Sequence, residues 1–482
     1  MRNTNTLQQE QRKTLMVSAP IPNLIAKMAI PTIVAFLINS IYSLADTFFV
    51  SGLGTNATAA VSVNASLDQL IMMCGSMLAI GANSYIARLL GENNEKKASQ
   101  VLSTAFILAA LIGGVLLVFG SIFITPMVRL LGATPTCESY AVDYAFYVLF
   151  AAPFMATSFV MNQCLRSEGS ATLSMVGMGF GGILNCILDP IFILSTGDPL
   201  FGEAIRIPFG LGMGVSGASL ATAISKVVSF LILIFPYITR RSLLHLSVKN
   251  FKMSKDIIGQ IVSVGSSSMF RNGLAVISAI LLNDLAGNIS DSVLAGIGVS
   301  TKIMMFPFSI ILGFGSGFQP VAGFNWGAKR YDRVQESYRF SGIVAFLGGL
   351  VMAAVLIVFA DPIIVAFAGD DPEMRKLGGL CILTQSIALP IHGWVAVINM
   401  LCAGLGNAKS AFLLAIARQG TCFLPILYPL AYLFGAYGIV SVQAIADVLS
   451  LAFAVPIIIA TTKQIKAAQL AAETTQGEVL CK

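Results

Sequence analysis

Asp189 lies four residues after Asn185 in the apolar run ILNCILDPIF, and that spacing puts an amide and a carboxylate on one face of a helix. Pro190 follows at once; it donates no N–H and frees a backbone carbonyl one turn back. Asp46 stands in a second apolar stretch, SLADTFFVSG. An ionisable group at mid-bilayer costs about 2.5–3.5 kcal/mol on insertion scales, so each needs a partner or a task. Oxygen atoms gathered on one wall suit a proton or a small hard cation, and the residue types fit either. The competing reading is that each acid caps or pairs inside a helix bundle.

Other polar residues in apolar surroundings invite structural readings. Asp68 and Lys302 are expected to pair across two halves of the molecule. Lys226, Arg271 and Arg418 are expected to reach towards the cytoplasmic edge on their long stems. Arg418 stands about ten residues, or ~15 Å, into its helix, with Asp447 as a candidate partner. Met269 and Arg271 in MFRNG, Met305 and Phe306 in KIMMFPF, and Arg418 with Gln419 are candidates for lining a cavity. Lipid-facing or packing roles compete with that reading. His245 and His392 have no ligand spacing, so no metal site is expected beyond a transient sodium ion, and no cofactor.

Hydrophobic residues make up 56% of 482 positions and charged ones 11%, against about 25% charged in soluble domains. The bilayer must solvate most of that apolar surface. Runs of about 20 apolar residues predict spanning helices near 23–50, 57–88, 95–123, 138–163, 170–195, 210–238, 257–286, 292–326, 332–359, 373–403, 408–433 and 436–462. Lys and Arg collect on cytoplasmic loops. With the amino terminus inside, Arg12, Lys13, Lys96, Lys97, Arg240, Arg241, Lys329, Arg330, Arg333 and Lys463 all fall there, leaving Arg129, Arg206, Arg375 and Lys376 outside. Both termini are therefore expected in the cytoplasm. The polar first twenty residues predict no cleavable signal peptide. Basic runs never exceed two residues, which argues against nucleic-acid contact. Eight dispersed cysteines without a CxxC read as structural thiols.

The chain also repeats itself. AAVSVNASL at 59–67 falls on AGIGVSTKI at 295–303, Gly81 on Gly317 and Gly91 on Gly327, all at an offset of 236 (295 − 59). CLRSEG ending at Gly169 falls on LCAGLG ending at Gly406, an offset of 237 (406 − 169). A period near half the chain length means two copies of one folding unit, and in so apolar a chain it suggests a transporter with its path where the halves meet. The organisation read from this is a segment 1–22, a six-helix lobe 23–238, a basic loop 239–256, a second lobe 257–462 and a tail 463–482. Asp189 maps onto Ile426; a carboxylate confined to one copy favours function over folding.

Taken in order, Pro31, ADTFFVSGLG around Asp46, NCILDP with Asn185 and Asp189, GASLATAIS at 217–225, LRSEG after the fourth span and ARQG at 417–420 resemble the multidrug and toxic compound extrusion (MATE) family from Pro31 to about Ala460. The resemblance implies an all-α membrane fold of twelve helices in two six-helix lobes forming a V-shaped cavity. It implies a monomeric exporter of amphipathic, often cationic organic compounds in exchange for protons or sodium, in the inner membrane of a prokaryote. It assigns Asp46, Asn185, Asp189 and Thr222 to a cation site and Pro31 to a bend in the first helix. STGDPLFGEAIRIPFGLG makes the connection before the sixth span roughly fifteen residues longer than the family's, and Thr222 depends on how it is placed. A flippase for lipid-linked oligosaccharide is the alternative within the superfamily. An intramembrane enzyme is disfavoured, because no HExxH, GxSxG or Ser/His/Asp grouping stands in the spans.

Overall fold

A computed structural model describes residues 14–198, 206–368 and 371–480. The described residues are almost entirely helical, in the order α1 (Ile21–Ser51), α2 (Thr55–Gly91), α3 (Glu95–Ile122), α4 (Ile124–Leu130), α5 (Glu138–Ser167), α6 (Ala171–Ile193), α7 (Val215–Ile238), α8 (Lys255–Gly287), α9 (Asp291–Gly327), α10 (Tyr331–Ala368), α11 (Pro372–Leu405), α12 (Ala408–Ile416), α13 (Phe423–Leu449) and α14 (Leu451–Leu480). Ten helices, each apolar enough to cross a membrane, precede one continuous apolar run over Ala408–Thr474. That run holds 67 residues, ~100 Å of helix at 1.5 Å per residue, so it cannot be a single crossing. The chain turns inside it at Gly435, where φ is 54° and ψ is −132°, a conformation open to glycine because it has no Cβ. Two spans result, twelve among the described residues. The chain is a multi-pass membrane protein.

The same device opens the sixth span, since Gly214 before α7 has φ 59° and ψ −130°. Gly214 maps onto Gly435 at an offset of 221 (435 − 214), against 236 for Gly81 and Gly317. The first half therefore holds about fifteen more residues between its fifth and sixth spans. The described ends of that insertion close on themselves: Ile207 N donates to Asp198 O at 3.0 Å and Gly197 N to Ile207 O at 2.9 Å. Ser195 and Leu211 form an antiparallel bridge. Leu211 N and Met213 N then donate to the last carbonyls of α6. The excursion leaves and returns at one point, so the pairing of α6 with α7 is undisturbed.

Two compact units make up the chain. The first comprises 34–86 and 95–265; the second comprises 14–33, 87–94 and the described residues from 266 onward. Each contains the inner end of a helix begun in the other half of the sequence. In the second unit, Gly313 and Gly317 of α9 admit the backbone of α1, and a Cβ at Gly317 would lie 2.6 Å from Ala29 Cα. In the first unit, Gly81 of α2 and Gly265 of α8 admit one another's helices, and a Cβ at either would overlap the backbone of Ile261 or Met77. Positions 77 and 81 map onto 313 and 317 at the repeat offset of 236. The crossing is made twice.

The basic connection 239–256 is fastened to the first unit along its length. Glu168, buried at the end of α5, accepts hydrogen bonds from Tyr237 Oη, Ser242 Oγ and Leu243 N. Ser99 Oγ accepts from His245 N at 3.1 Å, and Thr104 Oγ1 from Lys252 N at 3.2 Å. Lys97 pairs with Asp256 at 2.8 Å. The acid of LRSEG is thus a fastener for this segment. Its repeat, LCAGLG, has Leu405 at that position (168 + 237), and the neighbouring Gly404 packs against the backbone of Gln319 and Gly323.

Candidate functional site

Three helices of the first unit each contribute a polar pair at i, i+4, which stacks the two side chains on one face: Tyr42 and Asp46 on α1, Asn185 and Asp189 on α6, Thr222 and Lys226 on α7. Asn185 Nδ2 donates to Asp189 Oδ1 at 3.2 Å and to Thr222 Oγ1 at 3.2 Å. Asn185, Asp189 and Thr222 are all buried. Lys226 Nζ donates to Tyr42 Oη at 3.0 Å and lies 4.7 Å from its ring centre. Asp46 and Asp68 both face the Lys226 ammonium electrostatically, and Asp46 also faces Asp189. Tyr144 of α5, 3% exposed, is within electrostatic reach of all three carboxylates.

Four oxygen atoms in this cluster receive no hydrogen bond: Asp46 Oδ1, Asp68 Oδ1, Asn185 Oδ1 and Asp189 Oδ2. A buried polar atom left unsatisfied costs about 1–3 kcal/mol, so the arrangement gains from whatever satisfies them. A proton converts a carboxylate into a donor, and a hard cation takes several oxygens as ligands. Among the described residues no three His, Cys, Asp or Glu side chains are grouped to hold a metal permanently. Beside Tyr42 and Lys226 lies a cavity of about 60 Å³, walled by Met72, Met155, Phe159 and Met178; it has room for a few water molecules.

The sequence missed Lys226. It stands 12 residues before Ile238, the end of α7, or ~18 Å from that end at 1.5 Å per residue; the ammonium joins Tyr42 instead. Its spacing of four from Thr222 was the available signal. With the offset of 221 from the two glycines, Lys226 maps onto Asp447 (226 + 221), so the two halves carry opposite charges at one position.

In the second unit Arg418 lies in a π-turn, Ala417–Thr421, between α12 and α13. Its guanidinium forks onto Asp447, with Nε 2.5 Å from Oδ1 and Nη2 3.4 Å from Oδ2, and lies 4.6 Å from the Phe308 ring centre. Gln443 also donates to Asp447, at 3.3 Å. This is the partner the sequence suggested; Arg418 is held in the bundle rather than at its edge. Arg271 of α8 faces Arg418 electrostatically and donates to Ser268 Oγ at 3.2 Å. Gln419 is joined to α8 through its carbonyl, which accepts from Ser278 at 2.9 Å. Met269, Met305 and Phe306 are half-buried on α8 and α9, and Lys302 is exposed on α9. Pro31 lies inside a continuous α1, two residues before the chain passes from one unit to the other.

Twelve apolar spans in two related halves, with unsatisfied oxygens at depth in the first, define a helical membrane transporter built by duplication. The chain belongs to the MatE family, whose model matches residues 31–191 and 268–433. It is similar to the multidrug export protein MepA of Staphylococcus saprophyticus, 26% identical over 430 residues covering 87% of this chain and 89% of that protein. It is similar to MepA of Staphylococcus aureus strain MSSA476, at 24% over 431 residues, 89% and 91% of the two chains. Its fold matches the outward-facing conformation of a multidrug resistance MATE family transporter at a TM-score of 0.85, covering 95% and 98% of the chains at 24% identity. It also matches the crystal structure of MATE in the bent conformation, with a TM-score of 0.84 and coverage of 96% and 99%.

Proposed function

We propose that this protein exports amphipathic, often cationic organic compounds across the plasma membrane of a prokaryote, as a monomer with both termini cytoplasmic, in exchange for protons or sodium. The family and the multidrug exporters among its relatives support the transport reading. One observation carries the coupling: the Asn185-bridged pair Asp189–Thr222, with oxygen atoms of Asp46, Asp68, Asn185 and Asp189 left without donors. The coupling cation enters this cluster as cargo. Protonation, or sodium held between Asp46 and Asp189, removes the repulsion between two carboxylates, and the polar pairs of α1, α6 and α7 draw together. α1 yields at Pro31, where the missing N–H has already broken one hydrogen bond of the ladder. Closing the first lobe in this way expels the bound compound, so cation and drug compete for it. The protein supplies no covalent chemistry.

The test is transport in proteoliposomes holding the purified full chain, first under an imposed proton gradient and then under a sodium gradient. Ethidium should move against its gradient under one of them. No movement under either gradient refutes cation-coupled export.

A further inference from the structure

The buried charge of the second unit is opposite in sign to that of the first, and one cation there has no counter-charge. Arg418 and Asp447 satisfy one another through a forked contact, with Gln443 on the same carboxylate. Arg271 has only the neutral Ser268 hydroxyl, and the charged group that faces it is another guanidinium, Arg418. Among the described residues no carboxylate comes within ion-pair distance of Arg271. His392 faces both guanidiniums and lies edge-on to Phe308, ring centres 5.1 Å apart. Gln419 Oε1 is buried beside them without a donor. Arg271 is only partly buried.

A guanidinium in mid-membrane with no anion is costly, and its five donors in a planar fork match a carboxylate bidentately. Depth narrows the source of that anion. Arg271 is the seventeenth of 33 residues in α8, ~24 Å from either end at 1.5 Å per residue. A lipid headgroup stays in the interfacial layer outside a hydrocarbon core about 30 Å thick. The anion must come with a molecule that enters the protein.

We propose that Arg271 is a substrate-binding residue that takes the carboxylate of a transported amphiphile, with the Phe308–His392 pair and Gln419 alongside. This rests on the export reading and gives Arg271 the selection of amphiphiles that carry a carboxylate over those that do not.

Two dyes separate the possibilities. Rhodamine 110 and rhodamine 123 share one xanthene cation and differ in that the first has a free benzoate and the second its methyl ester. Binding to the purified full chain in detergent is read by fluorescence anisotropy in a low-salt buffer free of carboxylates, which keeps anions that compete for Arg271 dilute. A charge-assisted contact contributes about 1.5–3 kcal/mol, so the free acid should bind about tenfold or more tightly than the ester. Arg271→Gln should remove that preference while leaving the ester within about threefold of wild type, and Arg271→Lys should keep part of it. Equal affinity of the unmodified protein for the two dyes overturns the proposal and needs no variant. So does an Arg271→Gln protein that weakens both dyes alike. If the ester binds and is exported without a preference for the acid, only this inference fails; if neither dye is exported, the export reading itself fails.

Discussion

Asp189 has one oxygen bonded to Asn185 and one that no donor reaches, so the same side chain is both anchored and available. Asp189→Asn keeps the shape and removes the charge. It should leave expression intact, abolish gradient-driven ethidium export and change dye affinity by less than about tenfold, because it removes the exchangeable cation and leaves the apolar contacts in place. Export at the wild-type rate would return this acid to a structural role. Asp68 poses a sharper choice. The sequence pairs it with Lys302 of the other half, whereas within its own unit it faces Lys226. Breaking a buried ion pair strands one charge, at a cost of about 3–5 kcal/mol, and removing both partners relieves it. Melting temperatures of Asp68→Asn combined with Lys226→Met, and with Lys302→Met, decide between them: the true partner gives a double variant more stable than the two single losses added. We expect coupling to Lys226. The spacing of Asn185 and Asp189 was legible because four residues on one helix need no tertiary information. Lys226 was not, since a lysine in an apolar run reads equally well as a snorkelling side chain until Tyr42 of another helix is placed beside it.

Helices, too, divided into legible and hidden features. Hydropathy located the spans, although α10 runs to Ala368 rather than 359 and the last helix continues to Leu480 rather than ending at 462, and the repeat offset foretold that Gly81 and Gly317 do the same work. What they admit was hidden: Gly317 faces α1 and Gly81 faces α8, and no periodicity says which helix will cross a small residue. The π-turn at Ala417–Thr421 was hidden as well, because ARQG has ordinary helical propensity and only packing selects the wider turn. Such turns cluster at functional sites, and here one carries Arg418 and Gln419. Gly317→Leu should prevent α1 from seating, since a Cβ already lies 2.6 Å from Ala29 Cα, and the variant should give little monodisperse protein on size exclusion. Gly298→Ala on the same helix meets nothing within 4 Å and should behave as wild type, gaining ~1 kcal/mol of helix propensity. Equal yields of Gly317→Leu and wild type would show that the crossing yields more easily than its geometry implies.

Charge at the scale of the whole molecule sets its orientation, and the fastened loop makes that orientation measurable. Positive residues bias their loops to the cytoplasm, and on that bias we propose that 239–256 lies inside and the connection between the fifth and sixth spans outside. Position 202, in that connection, lies outside the described residues, but Phe209 is in the same connection and 64% exposed. His245 is exposed at its side chain while its backbone N–H is held by Ser99, so a cysteine there should neither disturb the fold nor hide. Among native thiols, Cys137 before α5 is 2% exposed and should contribute little background from outside. Intact cells treated with a membrane-impermeant maleimide should label Phe209→Cys and spare His245→Cys; permeabilised cells should label both. The basic loop would have to cross the bilayer for the reverse pattern, at about 2.5–3.5 kcal/mol for each Lys or Arg left in the core. Labelling of His245→Cys on intact cells with Phe209→Cys silent would therefore invert the topology, and with it the side from which the coupling cation reaches Asp46 and Asp189.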